Sequence, residues 1–551
     1  MQRATEFESA GKREDALRAL EQVLADGESS APLLSRAGAL NGQLGRLDRA
    51  RELLETALRI DPAYVGALAD LALVWRLRGR LDEAIRCLRR ALALAPGDAH
   101  VCCNLAHCLR ETGDLQGAFQ LYARTLQGEP LNQEAMRGLA SLVGLLESSE
   151  PIARVVRGIA AAHPDHAPAQ STLGFILLKR EFDPTAALAL FDRALELGAV
   201  DVDTLANRAI ALQDLGRLEE AIEGYDRALA IEPRSAHVRF HRALALLLQG
   251  RFESAWDDYE LRHLQDDAPR KLPDCPVWDG TPVPGKTLLV CAEQGIGDEI
   301  MFASCLPEAL ARSGRCIVDC SPRLAGLFAR SFPGIEVHAV EQRAAPQWEK
   351  FAPIDFAIRS GSLPRLFRRS LEAFPRHAGY LRADPACVEA MRVRLANAGP
   401  GRKIGISWRG GTLRSRAPLR SLTLEHLLPV LRMPGIQWVS LQYDTKAGDV
   451  ERFASEHGVA LVHWQEVIDD FEQAAALACA LDHVVSVCTA TVHLCGALGR
   501  PVTVMAPFSP EWRYGARGAT MPWYPSARVL RQRMPGEWDG VLEAVRLELA
   551  R

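Results

Sequence analysis

The sequence predicts an α-helical solenoid followed by an α/β region of two doubly wound halves. Three observations predict it. A 34-residue period runs through the first half, a proline cluster interrupts it, and short apolar runs alternate with helical stretches from Lys286 onward. The period implies stacked helix pairs, the prolines a break between folding units, and the alternation parallel sheets covered by helices.

The period is carried by small residues. Gly11, Gly45, Gly79 and Gly113 lie 34 residues apart, and Ala16, Ala50, Ala84 and Ala118 follow them at a constant offset of five. Pro62, Pro96 and Pro130 keep the step, and the pattern returns as Gly216/Ala221/Pro233 and Gly250/Ala255. This is the tetratricopeptide signature. Ala72, Ala106 and Ala209 let the first helix of a pair lie close to the second; the glycine makes the turn; the proline stops the second helix. From Gly113 to Gly216 is 103 residues, three periods plus one, so two degraded repeats with one inserted residue fill the gap. Their turn glycines are lost near Glu147 and Glu181. About eight units result over residues 1–265, the middle ones degenerate and the first lacking most of its leading helix. That truncation leaves an upstream start open. A solenoid of this kind presents a surface suited to protein or peptide partners, the alternative being a spacer or oligomerisation element.

Composition narrows the class. Acidic and basic residues nearly balance, 69 against 65, so no global field calls for nucleic acid or anionic membrane. The thirteen cysteines show no paired CxxC and suit a reducing compartment. The start lacks the apolar core of a signal peptide, and no apolar run is long enough to span a bilayer. A soluble cytoplasmic protein is the expectation.

Five prolines between Pro269 and Pro284 mark residues 266–285 as a linker or strap, with Trp278 a buried anchor. Beyond it, ten apolar runs read as strands, from Thr287–Cys291 to Ala527–Leu530. They split near Asn397–Gly401 into halves 286–400 and 401–551, whose strand C-terminal ends would face one another across a cleft.

Three corners of that cleft carry chemistry. The first is CAEQGIGDEIMF (Cys291–Phe302), a strand end turning into a helix. A dinucleotide fingerprint needs a third glycine near Ile300, and there is none. Asp298 is either an N-terminal cap or a general base for an acceptor hydroxyl, with Glu293, Gln294 and Gly297 as candidate contacts. The second is GISWRGG, which exposes Arg409 beside Gly410 and precedes a basic stretch holding Arg414, Arg416 and Arg420. Arginine forks and a glycine loop suit phosphate oxygens, the alternative being a solvated basic loop. The third is VVSVCTATVHLCGALGRPV. Its strand turns at Cys488-Thr489 into a helix bearing His493, so Thr489, the helix amides and His493 could hold a diphosphate. A packed core histidine is the alternative for His493, and a thiol nucleophile at Cys488 lacks a visible orienting partner. Asp470 either caps the following helix or meets a ribose. No DxD metal motif occurs outside the repeats, where Asp201–Asp203 has the spacing.

Together these stretches resemble a bacterial family of tetratricopeptide proteins with a glycosyltransferase domain similar to the heptosyltransferases of family nine. The resemblance rests on AEQGIGD (Ala292–Asp298), SWRGG (Ser407–Gly411), LRSLTLE (Leu419–Glu425) and WVSLQY (Trp438–Tyr443), which holds Gln442. It continues in HWQEVIDDFEQAAALACALD (His463–Asp482), SVCTATVHLCGALGRPV (Ser486–Val502), PEWRYG (Pro510–Gly515) and MPWYPSARVLRQ (Met521–Gln532). It implies a GT-B-like domain of two Rossmann-like halves, the first (286–400) on the acceptor side and the second (401–551) holding a nucleotide-sugar donor. Sugar transfer would be inverting and metal-independent, with no cofactor, and the acceptor a protein or glycan recruited by the repeats. Asp298 would be the catalytic base; Arg409, Gly410, Arg420, Thr489 and His493 would bind the donor; Gln442, Asp470 and Cys488 are further candidate contacts. Cys488 stands where the family has aspartate. A protein-interaction scaffold with a non-catalytic sugar-nucleotide-binding domain is the alternative.

Overall fold

The computed structural model describes residues 2–265, 271–341, 348, 353–411, 416–446 and 448–551. Arg414 lies outside them. No helix among the described residues is long and apolar enough to cross a membrane. The chain divides into two compact units, 1–208 and 209–551.

The first unit is a tetratricopeptide solenoid of paired helices. Gly11, Gly45, Gly79 and Gly113 all take φ between 71° and 88°, a left-handed turn that glycine adopts without steric cost. Ala50, Ala84 and Ala118 are fully buried where helices cross. The degenerate region keeps the design by other means. Phe182 occupies the glycine slot 34 residues before Gly216, in the left-handed region at φ 55°. The π-helical turn Leu177–Glu181 directly before it absorbs the one extra residue of the period.

The second unit begins with the last repeats, helices Leu218–Ile231, Ala236–Gln249 and Phe252–Tyr259. Gly216 and Gly250 make the same left-handed turns there. Two sheets follow. The first contains β1 (Val283–Cys291), β2 (Ser313–Cys320), β3 (Ile335–Ala339) and β4 (Phe356–Arg359), all parallel, in the order β3-β2-β1-β4. The second contains β5 (Arg402–Ser407), β6 (Ile436–Ser440), β7 (Leu461–His463), β8 (His483–Val487), β9 (Val502–Ala506), β10 (Thr520–Met521) and β11 (Tyr524–Arg531). Its order is β10-β11-β9-β8-β5-β6-β7, parallel except for the two-residue edge strand β10. Among the described residues, ten of the eleven strands overlap the apolar runs; β10 is too short to leave a pattern.

The described part of the proline-rich segment lies along the open edge of the first sheet. Val277 bridges Ala357 in β4, and Trp278 is buried with its indole N–H donated to the Thr281 carbonyl at 2.8 Å. A covered edge is protected from pairing with a foreign strand.

Candidate functional site

In open α/β sheets, ligands gather at the strand C-terminal ends where the strand order reverses. In the first sheet that point lies between β1 and β4, beside EQGIGD. In the second it lies between β5 and β8, beside Arg409-Gly410 and Cys488-Thr489.

At the first point, β1 runs into helix Ile296–Phe302. The helix starts earlier than a capping role for Asp298 requires: Gly295 is the N-cap, and Asp298, the third helical residue, reaches back to accept from the Gly295 amide at 3.3 Å. Its other carboxylate oxygen pairs with the Arg513 guanidinium. Burial opposes the charge on Arg513, but Asp298 with Tyr514 and Tyr259 together outweigh it and the guanidinium pKa is raised. Glu293 has a different occupation. Its carboxylate takes Arg262 Nε at 3.0 Å and the Gly361 amide at 2.8 Å. Gln294 sits at φ 63°, a conformation rare outside glycine, and its amide donates to the Tyr259 hydroxyl at 3.1 Å. Glu293 and Gln294 therefore fix the corner to the last repeat, while Asp298 turns toward the second sheet.

At the second point, Gln442 braces the loop. Its carbonyl accepts from the Trp408 and Arg409 amides at 3.0 and 2.8 Å, and its amide donates to the Arg409 and Tyr443 carbonyls at 2.8 and 2.7 Å. That leaves Gln442 a positioning group. The Arg409 side chain bonds the Asp444 carbonyl. Gly410 lies so close to Thr489 that a Cβ there would run into the threonine methyl. Thr489 caps helix Ala490–Ala497 through the Thr491 amide at 3.2 Å. Arg420 donates to the Gly410 carbonyl at 3.3 Å and pairs with Glu511. Arg409, Gly410, Arg420 and Thr489 thus come together. Asp470 stands apart, capping helix Phe471–Ala480 through the Glu472 amide at 2.8 Å.

Cys488 is buried, and burial pushes its thiol up to about 12 against the opposing pull of Arg420 and Arg531. It is a thiol at neutral pH, which disfavours a nucleophilic role. His493 is buried too. Its Nδ1 meets the Tyr524 hydroxyl at 3.0 Å and its Nε2 the Tyr514 hydroxyl at 3.5 Å. Burial, with Arg513 and Arg420 nearby, drives the imidazole well below its ordinary pKa, so it is neutral.

The two points meet directly, because helix Ile296–Phe302 packs on helix Ala490–Ala497. Gly297 is the reason they can. A Cβ there would lie 2.9 Å from His493 Cδ2 and 3.5 Å from Ala490 Cα. Gly297→Ala is expected to force the helices apart and cost about 1–3 kcal/mol in thermal or urea unfolding. An unchanged midpoint would count against so close an approach.

The sequence reading singled out neither Arg513, Tyr514 and Glu511 nor Tyr524 and Arg531. They sit in PEWRYG and MPWYPSARVLRQ, stretches noted only as whole motifs. Among the described residues, no three His, Cys, Asp or Glu side chains form a metal-binding group.

Comparison with known proteins agrees with the helical repeats. Residues 1–65 and 78–135 match a family model described as tetratricopeptide repeat, residues 43–101 match another of that description, and residues 211–250 match a TPR repeat model. Among solved structures, a tetratricopeptide repeat protein from Parabacteroides merdae is 14% identical with a TM-score of 0.37, over 44% of this chain and 96% of that one. Pseudomonas aeruginosa pilF is 21% identical with a TM-score of 0.31, over 39% of this chain and 96% of that one. Protein FlbA of Caulobacter vibrioides is 31% identical over 447 residues, 77% of this chain and 74% of that protein. A match of that length runs through repeats and sheets alike, and the chain belongs to the same family as Protein FlbA.

Proposed function

We infer that this protein is an inverting glycosyltransferase with a GT-B-like domain, residues 286–400 serving the acceptor and 401–551 a nucleotide-sugar donor. The observation that supports the reading is the packing of the helix bearing Asp298 on the helix capped by Thr489, at the reversal points of the two sheets, with Gly410 against Thr489 and Arg420 bonded to the Gly410 carbonyl. An acceptor hydroxyl approaching Asp298 would give its proton to the carboxylate as its oxygen bonds to the sugar C1. The C1–O bond to the diphosphate breaks with that electron pair leaving on the diphosphate. Arg420, the Thr489 hydroxyl and the first-turn amides of helix Ala490–Ala497 would face the leaving charge. His493, neutral and held by two tyrosines, would be a hydrogen-bonding partner and not a cation. Arg513 must release Asp298 before the carboxylate can act as a base.

Cys488 favours a second reading, a scaffold whose sheet domain binds sugar nucleotides without turnover. It replaces a carboxylate with a neutral thiol amid Arg420, Arg513 and Arg531. A panel of UDP-, GDP-, ADP- and CMP-sugars separates the readings. A donor at a hundred times its Kd stabilises the fold by about 2.7 kcal/mol, a readily measured rise in melting temperature. A shift accompanied by slow donor hydrolysis is the expected result for the enzyme. A shift without hydrolysis or transfer favours the scaffold, and no shift with any donor removes the nucleotide-sugar site.

A further inference from the structure

A second concavity lies in the same unit. A cavity of about 490 Å³ is bounded by the last repeat helices on one side and the segment around Trp512–Trp523 on the other. That volume is within the range of small-ligand and side-chain pockets. Its walls are apolar: Leu218, Leu247 and Leu248 from the helices, Trp512, Pro522 and Trp523 opposite. The rim is cationic. Arg251 and Arg517 are both exposed, and neither has an ion-pair partner among the described residues. Glu219 is the one acidic residue of the lining. Since the whole chain carries a formal charge of −4, this basic rim is a local feature and not a sample of the general surface.

Two details give the cavity direction. The turn that forms its far wall is pinned: the Ala516 amide donates to the Leu248 carbonyl at 2.8 Å, and Arg531 donates to the Tyr514 and Gly515 carbonyls at 2.5 and 3.0 Å. Arg513 lines the cavity and also pairs with Asp298. A chain lying in the cavity is therefore next to the one side chain that restrains the carboxylate.

We propose that this cavity binds an extended acidic segment of a polypeptide, an apolar side chain filling the space between Leu248 and Trp512 and a carboxylate meeting Arg251 and Arg517. The geometry favours a peptide over a sugar chain. Trp512 and Trp523 pack edge-on against one another, 6.1 Å between centroids, so the pair presents no shared flat face to a sugar ring. Apolar wells beside unpaired arginines instead match alternating apolar and acidic side chains. The role of that segment as the acceptor rests on the transferase reading; its binding does not.

The test is selection of a random dodecapeptide display library on the full-length protein without any nucleotide sugar. The most enriched peptide is then synthesised with a fluorescein label. The expected consensus has Asp or Glu within three residues of Leu, Ile or Phe. Anisotropy should show at least tenfold weaker binding when the peptide's acids become amides, and likewise for the Arg251→Glu/Arg517→Glu variant. Both arginines are exposed, so that variant should melt as the parent does. Ala516→Trp, which fills the cavity without touching the rim charges, should also abolish binding. Failure to enrich any peptide, a consensus without acids, or binding that survives both variants would overturn the proposal. Peptide binding without donor binding would retain the cavity and sink the transferase reading; donor hydrolysis without peptide binding would do the reverse.

Discussion

Asp298→Asn is expected to lower sugar transfer by about 10²–10⁴-fold, the usual contribution of a positioned general base, while the donor-induced rise in melting temperature is retained. Asparagine keeps the shape of the side chain, and its carbonyl can still accept from the Gly295 amide. What it removes is the basicity and the charge facing Arg513. Because Arg513 loses its partner, activity is to be measured well below the variant's own melting temperature, so that lost stability is not read as lost chemistry. Turnover equal to the parent's would sink the assignment of Asp298 as the base. Lost turnover together with a lost donor shift would instead place Asp298 in donor binding.

The largest effect on stability is expected at Arg262→Ala. Its guanidinium is 4% exposed and meets Glu293 at 3.0 Å, Glu260 at 2.9 Å and the Ser362 hydroxyl at 2.8 Å, while lying 4.9 Å over the Tyr259 ring. Truncation strands the Glu293 carboxylate, itself 13% exposed, and removing one member of a buried pair costs about 3–5 kcal/mol. Urea unfolding would report it. Neutralising Arg262 and the more buried of its two carboxylate partners, as Arg262→Met with Glu293→Gln, should recover much of the loss, because Glu293 then carries no unpaired charge. A cost under about 1 kcal/mol for Arg262→Ala would show that water reaches Glu293 freely.

What could be read from the chain divides along a physical line. Periodicity and strand-turn-helix boundaries are local, so the repeats, ten strands and the cap at Thr489 were legible. The left-handed Phe182 was not: the sequence shows that one residue is inserted, but not where the backbone absorbs it. Long-range partners were not legible either. Arg513 is 215 residues from Asp298, and nothing in PEWRYG says which carboxylate it meets. Glu293 and Gln442 illustrate the converse. Both stand at strand ends, where ligand contacts are expected, yet both are saturated by partners within the protein. Position at a sheet end identifies residues that can face a ligand; the four hydrogen bonds of Gln442 and the Arg262 pairing of Glu293 turn these two to positioning instead.

The clamp at Arg262 also bears on how such proteins diverge. Arrays of helical repeats lengthen and shorten by whole periods, since each unit contacts only its neighbours. The final unit here is different, because Trp256 donates to the Arg368 carbonyl at 2.8 Å and Arg262 holds the β1 corner. Deleting or duplicating that unit would tear out part of the sheet region's own core. Changes in repeat number within the family are therefore expected among the units upstream of residue 209, with the last repeat inherited as part of the sheet-bearing body.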